Sequence, residues 1–215
     1  MMKAVAVGDL HGHWGLIWEL LEREQPDLLL SCGDWGDPDQ VREEDFGRIV
    51  ARIYLLTVFG NHDDIELLGY IRNRDGSPVL LGREEVRKVL KLRVAGIGGI
   101  WAKSHRKPWY ITDEEVAEIA GSLEGKGIDI LITHACPIGL ADLTPTGRHG
   151  GQRCFLEAFR LISPKVHLCG HLHRKALRRL KSGAVVANVG HGAEGDFLYL
   201  LKEGDMLQVE DPKPT

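Results

Sequence analysis

The 215-residue sequence predicts an α/β fold made of two sheets packed face to face, with helices outside. Three observations predict it. The first half alternates short apolar runs with helical spacings, a βαβαβ rhythm that implies a parallel sheet with right-handed crossovers. The segment after residue 175 breaks instead into short strands with glycine turns, the pattern of antiparallel hairpins. Finally, five apolar runs (AVAVGD, LLLSCGD, LLTVFGNHD, IDILITHA, KVHLCGH) end at a glycine or small polar residue beside Asp, Asn or His. Such runs read as buried strands, and open α/β sheets build their sites just past strand C-termini.

Taken in order, residues 3–7 form a strand. Residues 14–24 place Leu16, Ile17, Leu20 and Leu21 at helical spacing. Residues 27–31 are a second strand, 41–52 a second helix with Val41, Ile49 and Val50 inward, 53–59 a third strand and 64–72 a short third helix. The middle differs: 79–81, 86–90 and 92–97 read as successive strands. Residues 112–122 follow as a helix, with Thr112 and Glu115 in capping-box spacing. Residues 128–133 and 165–169 are buried strands flanking a helix at about 152–161. Strands at 176–180, 184–188, 197–201 and 206–209 are separated by turns at Gly183, Gly195 and Gly204, and 211–215 is expected to fray.

The length fits one domain, residues 1–215, with a substantial core. Net charge is -4, an acidic total that argues against a constitutive nucleic-acid partner or an anionic membrane surface. No apolar run approaches the roughly 20 residues that span a bilayer, and the short apolar stretch before Asp9 is too brief for a signal peptide. Cys32, Cys136, Cys154 and Cys169 form no CxxC pair and read as buried thiols, which implies a reducing, cytoplasmic setting.

The chemistry sits in five motifs: Asp9-Leu10-His11, Gly33-Asp34, Gly60-Asn61-His62-Asp63, Thr133-His134 and Gly170-His171-Leu172-His173. Asp, His and Asn are ligands that hard or borderline divalent ions choose. Asp9 and His11 are two apart, as are His171 and His173; in an extended segment each pair points to one face. Asp34 has two oxygens with which to bridge two ions, Asn61 a carbonyl oxygen that protonation cannot remove, and His134 one more nitrogen.

In order, residue type and strand context these blocks resemble the calcineurin-like metallophosphoesterases, whose signature runs D-x-H, G-D, G-N-H-D/E, H, G-H-x-H. The resemblance spans residues 9–173 and implies a four-layer α-β-β-α sandwich of two mixed sheets. It implies two divalent metal ions; the Asp, His and Asn donors suit Mn²⁺, Fe, Zn²⁺ or Ni²⁺ comparably, and Mn²⁺ is taken first. One ion would lie on Asp9, His11, Asp34 and His173, the other on Asp34, Asn61, His134 and His171. Two such ions against the two aspartates leave the site at about +2, suited to a phosphate oxyanion and to in-line attack on phosphorus by a metal-bridging hydroxide. The catalytic pair implied is His62, as phosphate contact or general acid, and Asp63, which would orient His62 and favour its charged form.

Each motif alone is weak, because a single Asp-x-His is more often a surface turn; five in order are not. Asp37 reads either as a support for the site or as a turn former. His13 and His149 could reach a phosphate, although solvated loop positions are the plainer reading; His105, His167 and His191 read as structural or surface residues. Gly96 to Gly99 lacks P-loop spacing and reads as tight strand-end packing. Arg174, Lys175, Arg178, Arg179 and Lys181 form either a steering patch or a solvated strand face. Trp101, Trp109 and Tyr110 either stack a nucleobase or cap the core.

The partner implied is a small phosphorylated substrate. Asp37 is followed by Pro38 where the protein Ser/Thr phosphatases have Arg-Gly, and the third block ends in Asp63 rather than Glu. These departures demote phosphoprotein and dinucleoside-polyphosphate substrates. Residues 136–142 resemble a segment of small phosphodiesterase members, which favours a diester. A rival reading is a non-catalytic interaction scaffold; relatives of that kind have lost a ligand or the catalytic His, and neither is lost here.

Overall fold

The computed structural model describes residues 1–212. Of the tail expected to fray, residues 213–215 lie outside the described residues. The chain begins β1 (Met2–Val7), α1 (Gly15–Arg23), β2 (Leu28–Ser31), α2 (Glu43–Val50), β3 (Tyr54–Thr57) and α3 (Ile65–Tyr70). It continues through β4 (Arg87–Val89), β5 (Leu92–Ile97), β6 (Ile100–Trp101), β7 (Tyr110–Ile111), α4 (Asp113–Leu123), β8 (Ile130–Thr133) and α5 (Arg153–Ile162). It closes with β9 (Val166–Cys169), β10 (Ala176–Arg179), β11 (Val185–Asn188), β12 (Leu198–Glu203) and β13 (Met206–Glu210).

Two mixed sheets result. One has the order β13-β12-β1-β2-β3, with β1, β2 and β3 parallel. The other has the order β10-β11-β9-β8-β5-β4, with β11, β9, β8 and β5 parallel. Between the sheets pack Ala4, Ala6, Leu28, Leu30 and Leu56 from one side and Val94, Ile130, Ile132, Leu168 and Ala187 from the other. The alternate residues of β1, Val5 and Val7, join Ile17, Leu20, Phe46 and Ile49 under α1 and α2. Ala95, Ile97 and Leu131 pack on Val116, Ile119, Phe155 and Ala158 of α4 and α5. Both faces of each central strand are thus covered, which is why those strands read as unbroken apolar runs rather than alternating ones. The layers are helix, sheet, sheet, helix, as the resemblance implied.

Local signals explain several boundaries. The Thr112–Glu115 capping box is present at the start of α4, and Asp64 caps α3 by accepting from the Leu67 N–H. Leu90 and Lys91 both have positive φ (47° and 61°) and form the two-residue turn between β4 and β5, so Leu90 is a turn residue, not a strand residue.

Two further expectations need correction, and one element is new. Residues 79–81 form no strand; they touch β3 through one parallel bridge, Thr57 to Leu80. The four C-terminal strands do not make one run of hairpins. β10–β11 and β12–β13 are hairpins, but β11 joins the second sheet beside β9 while β12 crosses over to pair with β1 in the first. Gly195 therefore ends a 3₁₀ turn in a crossover, not a hairpin. Lastly, Ile100–Trp101 and Tyr110–Ile111 form a small parallel ladder that the sequence pattern did not announce.

Candidate metal centre

Parallel pairing brings the C-terminal ends of five strands to one place. The first sheet delivers Asp9 and His11 past β1, Asp34 past β2, and Asn61, His62 and Asp63 past β3; the second delivers His134 past β8 and His171 and His173 past β9. The site therefore straddles the ends of both sheets.

The paired motifs are not extended, as the sequence reading assumed. Asp9, His11, Asp34, His171 and His173 have φ of 54°, 46°, 57°, 68° and 53°, all in the left-handed region that non-glycine residues rarely occupy. Such strain collects at functional sites where surrounding bonds over-determine it. Here the Asp9 N–H donates to the Gly33 carbonyl at 3.0 Å, and the Leu10 and His11 N–H groups both donate to the Asp34 carbonyl, at 2.8 and 3.1 Å. The His171 N–H is 3.1 and 3.0 Å from the two Asp9 carboxylate oxygens. Turn geometry, not strand alternation, aims these side chains together.

One ligand atom each from Asp34, His134 and His171 lie within 4.8 Å of one another. The same holds for Asp9, His11 and Asp34, and for His11, His173 and His191. Asp34 belongs to two of these groups, as a bridging carboxylate would. The Nε2 atoms of His11 and His173 are 3.2 Å apart. The side chain of Asp9 is fully buried, and so is that of His134, whose Nδ1 donates to the Cys32 carbonyl at 2.8 Å. That bond puts a proton on Nδ1 and turns Nε2 toward Asp34. His134 Nε2 is 3.4 Å from an Asp34 oxygen, and both it and Asn61 Oδ1 are buried without a hydrogen-bond partner. Buried polar atoms without a partner are rare and costly. Here they sit in a cluster whose donor chemistry is that of divalent-ion ligands, so the residues present fit a metal pair.

Electrostatics agree. Burial disfavours charge on His134, but Asp34 beside it, with Asp9 and the Cys32 carbonyl, pushes the ring up to about 10. Burial likewise opposes the Asp34 carboxylate, yet His134 and the His62 N–H hold it well below the usual range. His171 is lowered to about 4, first by burial and then by His134. Without metal the cluster draws a proton into a buried histidine, the response of a pocket shaped for positive charge.

His62 departs from expectation in its partner. Its Nδ1 lies 3.1 and 3.3 Å from the two oxygens of Asp37, so Asp37, not Asp63, orients the ring. Asp63 is buried and accepts three backbone N–H groups, those of Asp34 and Gly60 at one oxygen and Trp35 at the other, each at 2.7 Å. It holds the loops after β2 and β3 together. Burial first, and then the Asp34 charge, pushes its carboxyl up to about 7 against those donors. Gly60 is required at this contact, because a side chain there would overlap Asp34 Oδ1 and the His134 ring.

His191 is the residue that the sequence reading missed. Its ring stacks on His173 at 4.2 Å between centroids and 6° between planes, and lies 5.7 Å from His11. The signal was available: VVANVGH is one more apolar run ending at glycine and histidine. The other candidates settle elsewhere. His13 contacts the Leu10 carbonyl, His105 is exposed beside Glu115, and His167 is buried beside Thr133. His149 pairs with Asp142 at 2.8 Å. These two residues, with Arg174 and Arg178, line a hollow of about 290 Å³ that begins one residue past His173. Lys175 is paired with Asp196 and Asp211. Trp101 donates to Asp113 and packs on the outer core, and Gly98 and Gly99 lie against the Phe59 ring. Larger hollows of about 530 and 830 Å³ lie away from the five motifs.

Comparisons with known proteins point the same way. A family model described as calcineurin-like phosphoesterase matches residues 2–175. The UPF0046 protein T07D4.2 of Caenorhabditis elegans is 23% identical over 216 residues, covering 80% of this chain. The chain spans about half, 51%, of that relative's length. Among solved structures, TT1561 of Thermus thermophilus is similar with a TM-score of 0.71 at 14% identity, covering 98% of each chain. A dimetal phosphatase from Danio rerio is similar with a TM-score of 0.61 at 10% identity, covering 98% of this chain and 95% of its own. At these identities the structural likenesses establish the fold.

Proposed function

Because the chain belongs to the calcineurin-like phosphoesterase family, we propose that it hydrolyses a small phosphoester at two divalent metal ions. Asp9, His11, Asp34 and His173 would hold one ion; Asp34, Asn61, His134 and His171 would hold the other. The observation that carries this is the pair of buried, unpartnered ligand-type atoms, Asn61 Oδ1 and His134 Nε2, in the cluster around Asp34. Divalent ions bound there supply positive charge to the phosphoryl group and acidify water. The chain's own part is to position. Asp34 is anchored by the His62 N–H at 2.8 Å, and Asp63 ties the loops after β2 and β3. His62 is half exposed, with Asp37 on its Nδ1, which leaves Nε2 to contact a phosphoryl oxygen or protonate a leaving alkoxide.

A phosphodiester is the favoured substrate and Mn²⁺ the favoured ion, on the sequence departures and ligand types given above. Four free, buried cysteines support a reducing compartment. Among the described residues no helix is long and apolar enough to cross a membrane. The test is hydrolysis of bis-p-nitrophenyl phosphate against p-nitrophenyl phosphate by chelator-stripped protein given Mn²⁺, beside His62→Ala. Faster diester cleavage, lost on chelation and in the variant, is expected. Faster monoester cleavage would move the substrate to a phosphomonoester. No turnover with Mn²⁺, Zn²⁺, Ni²⁺ or Fe²⁺ would favour the scaffold reading.

A further inference from the structure

His62 and His191 both stand beside His11, with ring centroids 5.1 and 5.7 Å from it. His62 Nδ1 is hydrogen-bonded to Asp37 at 3.1 Å, and the mostly exposed Glu194 comes within 3.4 Å of His191 Nδ1. The cluster thus carries two imidazoles beside His11, one on a loop of each sheet.

The segment carrying His191 is tied to the ligand loop itself. The Gly192 N–H donates to the Gly8 carbonyl at 2.9 Å, and the Ala193 N–H to the Asp9 carbonyl at 3.1 Å. The Gly190 N–H donates to Asn188 Oδ1 at 3.0 Å, and the His191 N–H to Asp196 Oδ2 at 3.1 Å. Gly192 has no room for a side chain, because a Cβ would run into the Gly8 carbonyl. This crossover loop is thus held through its own backbone N–H groups, with the imidazole beside the cluster and only 19% exposed.

Its geometry speaks against a ligand role. An imidazole lone pair lies in the ring plane, and the planes of His173 and His191 are stacked and parallel within 6°. An ion in the plane of one ring is out of the plane of the other. His173 is the one whose Nε2 lies 3.2 Å from both His11 Nε2 and Asp9 Oδ1. His191 is thereby left out of the ligand set while remaining beside it.

We propose that His191 is a second phosphate-binding imidazole, placed beside His11 and His173, and that it contacts a phosphoryl oxygen of the substrate. The proposal rests on the phosphoesterase reading above. Its substrate class is a phosphate with an unesterified oxygen on the side of His173, as in a diester or a monoester.

Inorganic phosphate is the probe, titrated by calorimetry into the Mn²⁺-loaded chain, with metal content measured by elemental analysis. His191→Ala is expected to weaken phosphate binding about tenfold, the loss of one hydrogen bond to a charged group, with metal content unchanged. His191→Gln, which keeps an N–H donor, is expected to lose less. The loop's own bonds run through backbone atoms, so both variants should keep it; if His191→Ala does not fold, His191→Gln alone decides, by a weakening of at least threefold at full metal content. Loss of metal from either variant would make His191 a ligand and overturn the proposal. Unchanged phosphate affinity would reduce it to packing, also overturning it. If the loaded wild-type chain binds no phosphate, the phosphoesterase reading falls, and this inference with it.

Discussion

Asp63 and Asp37 show how two carboxylates in adjacent loops divide their work. Asp63 faces only donors, the N–H groups of Asp34, Trp35 and Gly60. Asp63→Asn would turn an amide N–H₂ toward them and is expected to cost about 2 kcal/mol or more, read from the urea midpoint of the chelated protein. Asp37→Asn should leave that midpoint in place and slow hydrolysis about tenfold by removing the charge behind His62. His62→Ala should slow it by roughly 10²–10⁴-fold with metal content kept. His134 makes a separate prediction about pH. In the metal-free chain it is raised to about 10, so below that pH an incoming ion must displace its proton. Metal affinity should therefore rise with pH, about tenfold per unit for one proton displaced, measured by Mn²⁺ titration at pH 6, 7 and 8. The sign for stability is the reverse. A histidine raised in the folded state stabilises it fully below its unfolded value of 6.5, and that contribution is lost as pH climbs through about 10.

At the scale of elements, helix starts and strand runs were legible because their causes are local. The Thr112–Glu115 box needs only four residues to form, and Thr112→Ala should cost about 1 kcal/mol in thermal unfolding while leaving hydrolysis unchanged. The loop after β3 behaves oppositely. Gly60→Ala would push a methyl group into Asp34 and the His134 ring, and it should abolish metal uptake, measured by elemental analysis, even where the fold survives. Strand partners were not legible. β11 and β12 follow one another with a glycine-bearing connection that reads as a hairpin, yet they belong to different sheets. Nothing local distinguishes a hairpin from a crossover when both strands are apolar; which sheet has a free edge decides it. The same limit hid the position of His191, whose loop reaches the cluster only through its backbone bonds to Gly8 and Asp9.

For the whole molecule, the site is a clasp between sheets. Asp9, His11, Asp34 and Asn61 come from one sheet and His134, His171 and His173 from the other, so ions held by both groups would link the two halves of the sandwich. A ligand that binds only the folded state at a thousand times its Kd adds about 4 kcal/mol. For a chain of this length that is roughly 10 °C of melting temperature, expected to disappear on chelation and to return with Mn²⁺. The five motifs, their order and the ligand chemistry they carry could be read from the residues alone, because donor atoms and strand-ending glycines are properties of residue type. So could the layered fold, since apolar runs and helical spacings record burial directly. Only the tertiary structure decided that Asp37 and not Asp63 backs His62, that the paired ligands reach one point through left-handed turns, and that His191 stands beside them. Those outcomes depend on which groups meet between loops far apart in sequence, and no local pattern of residues encodes that meeting.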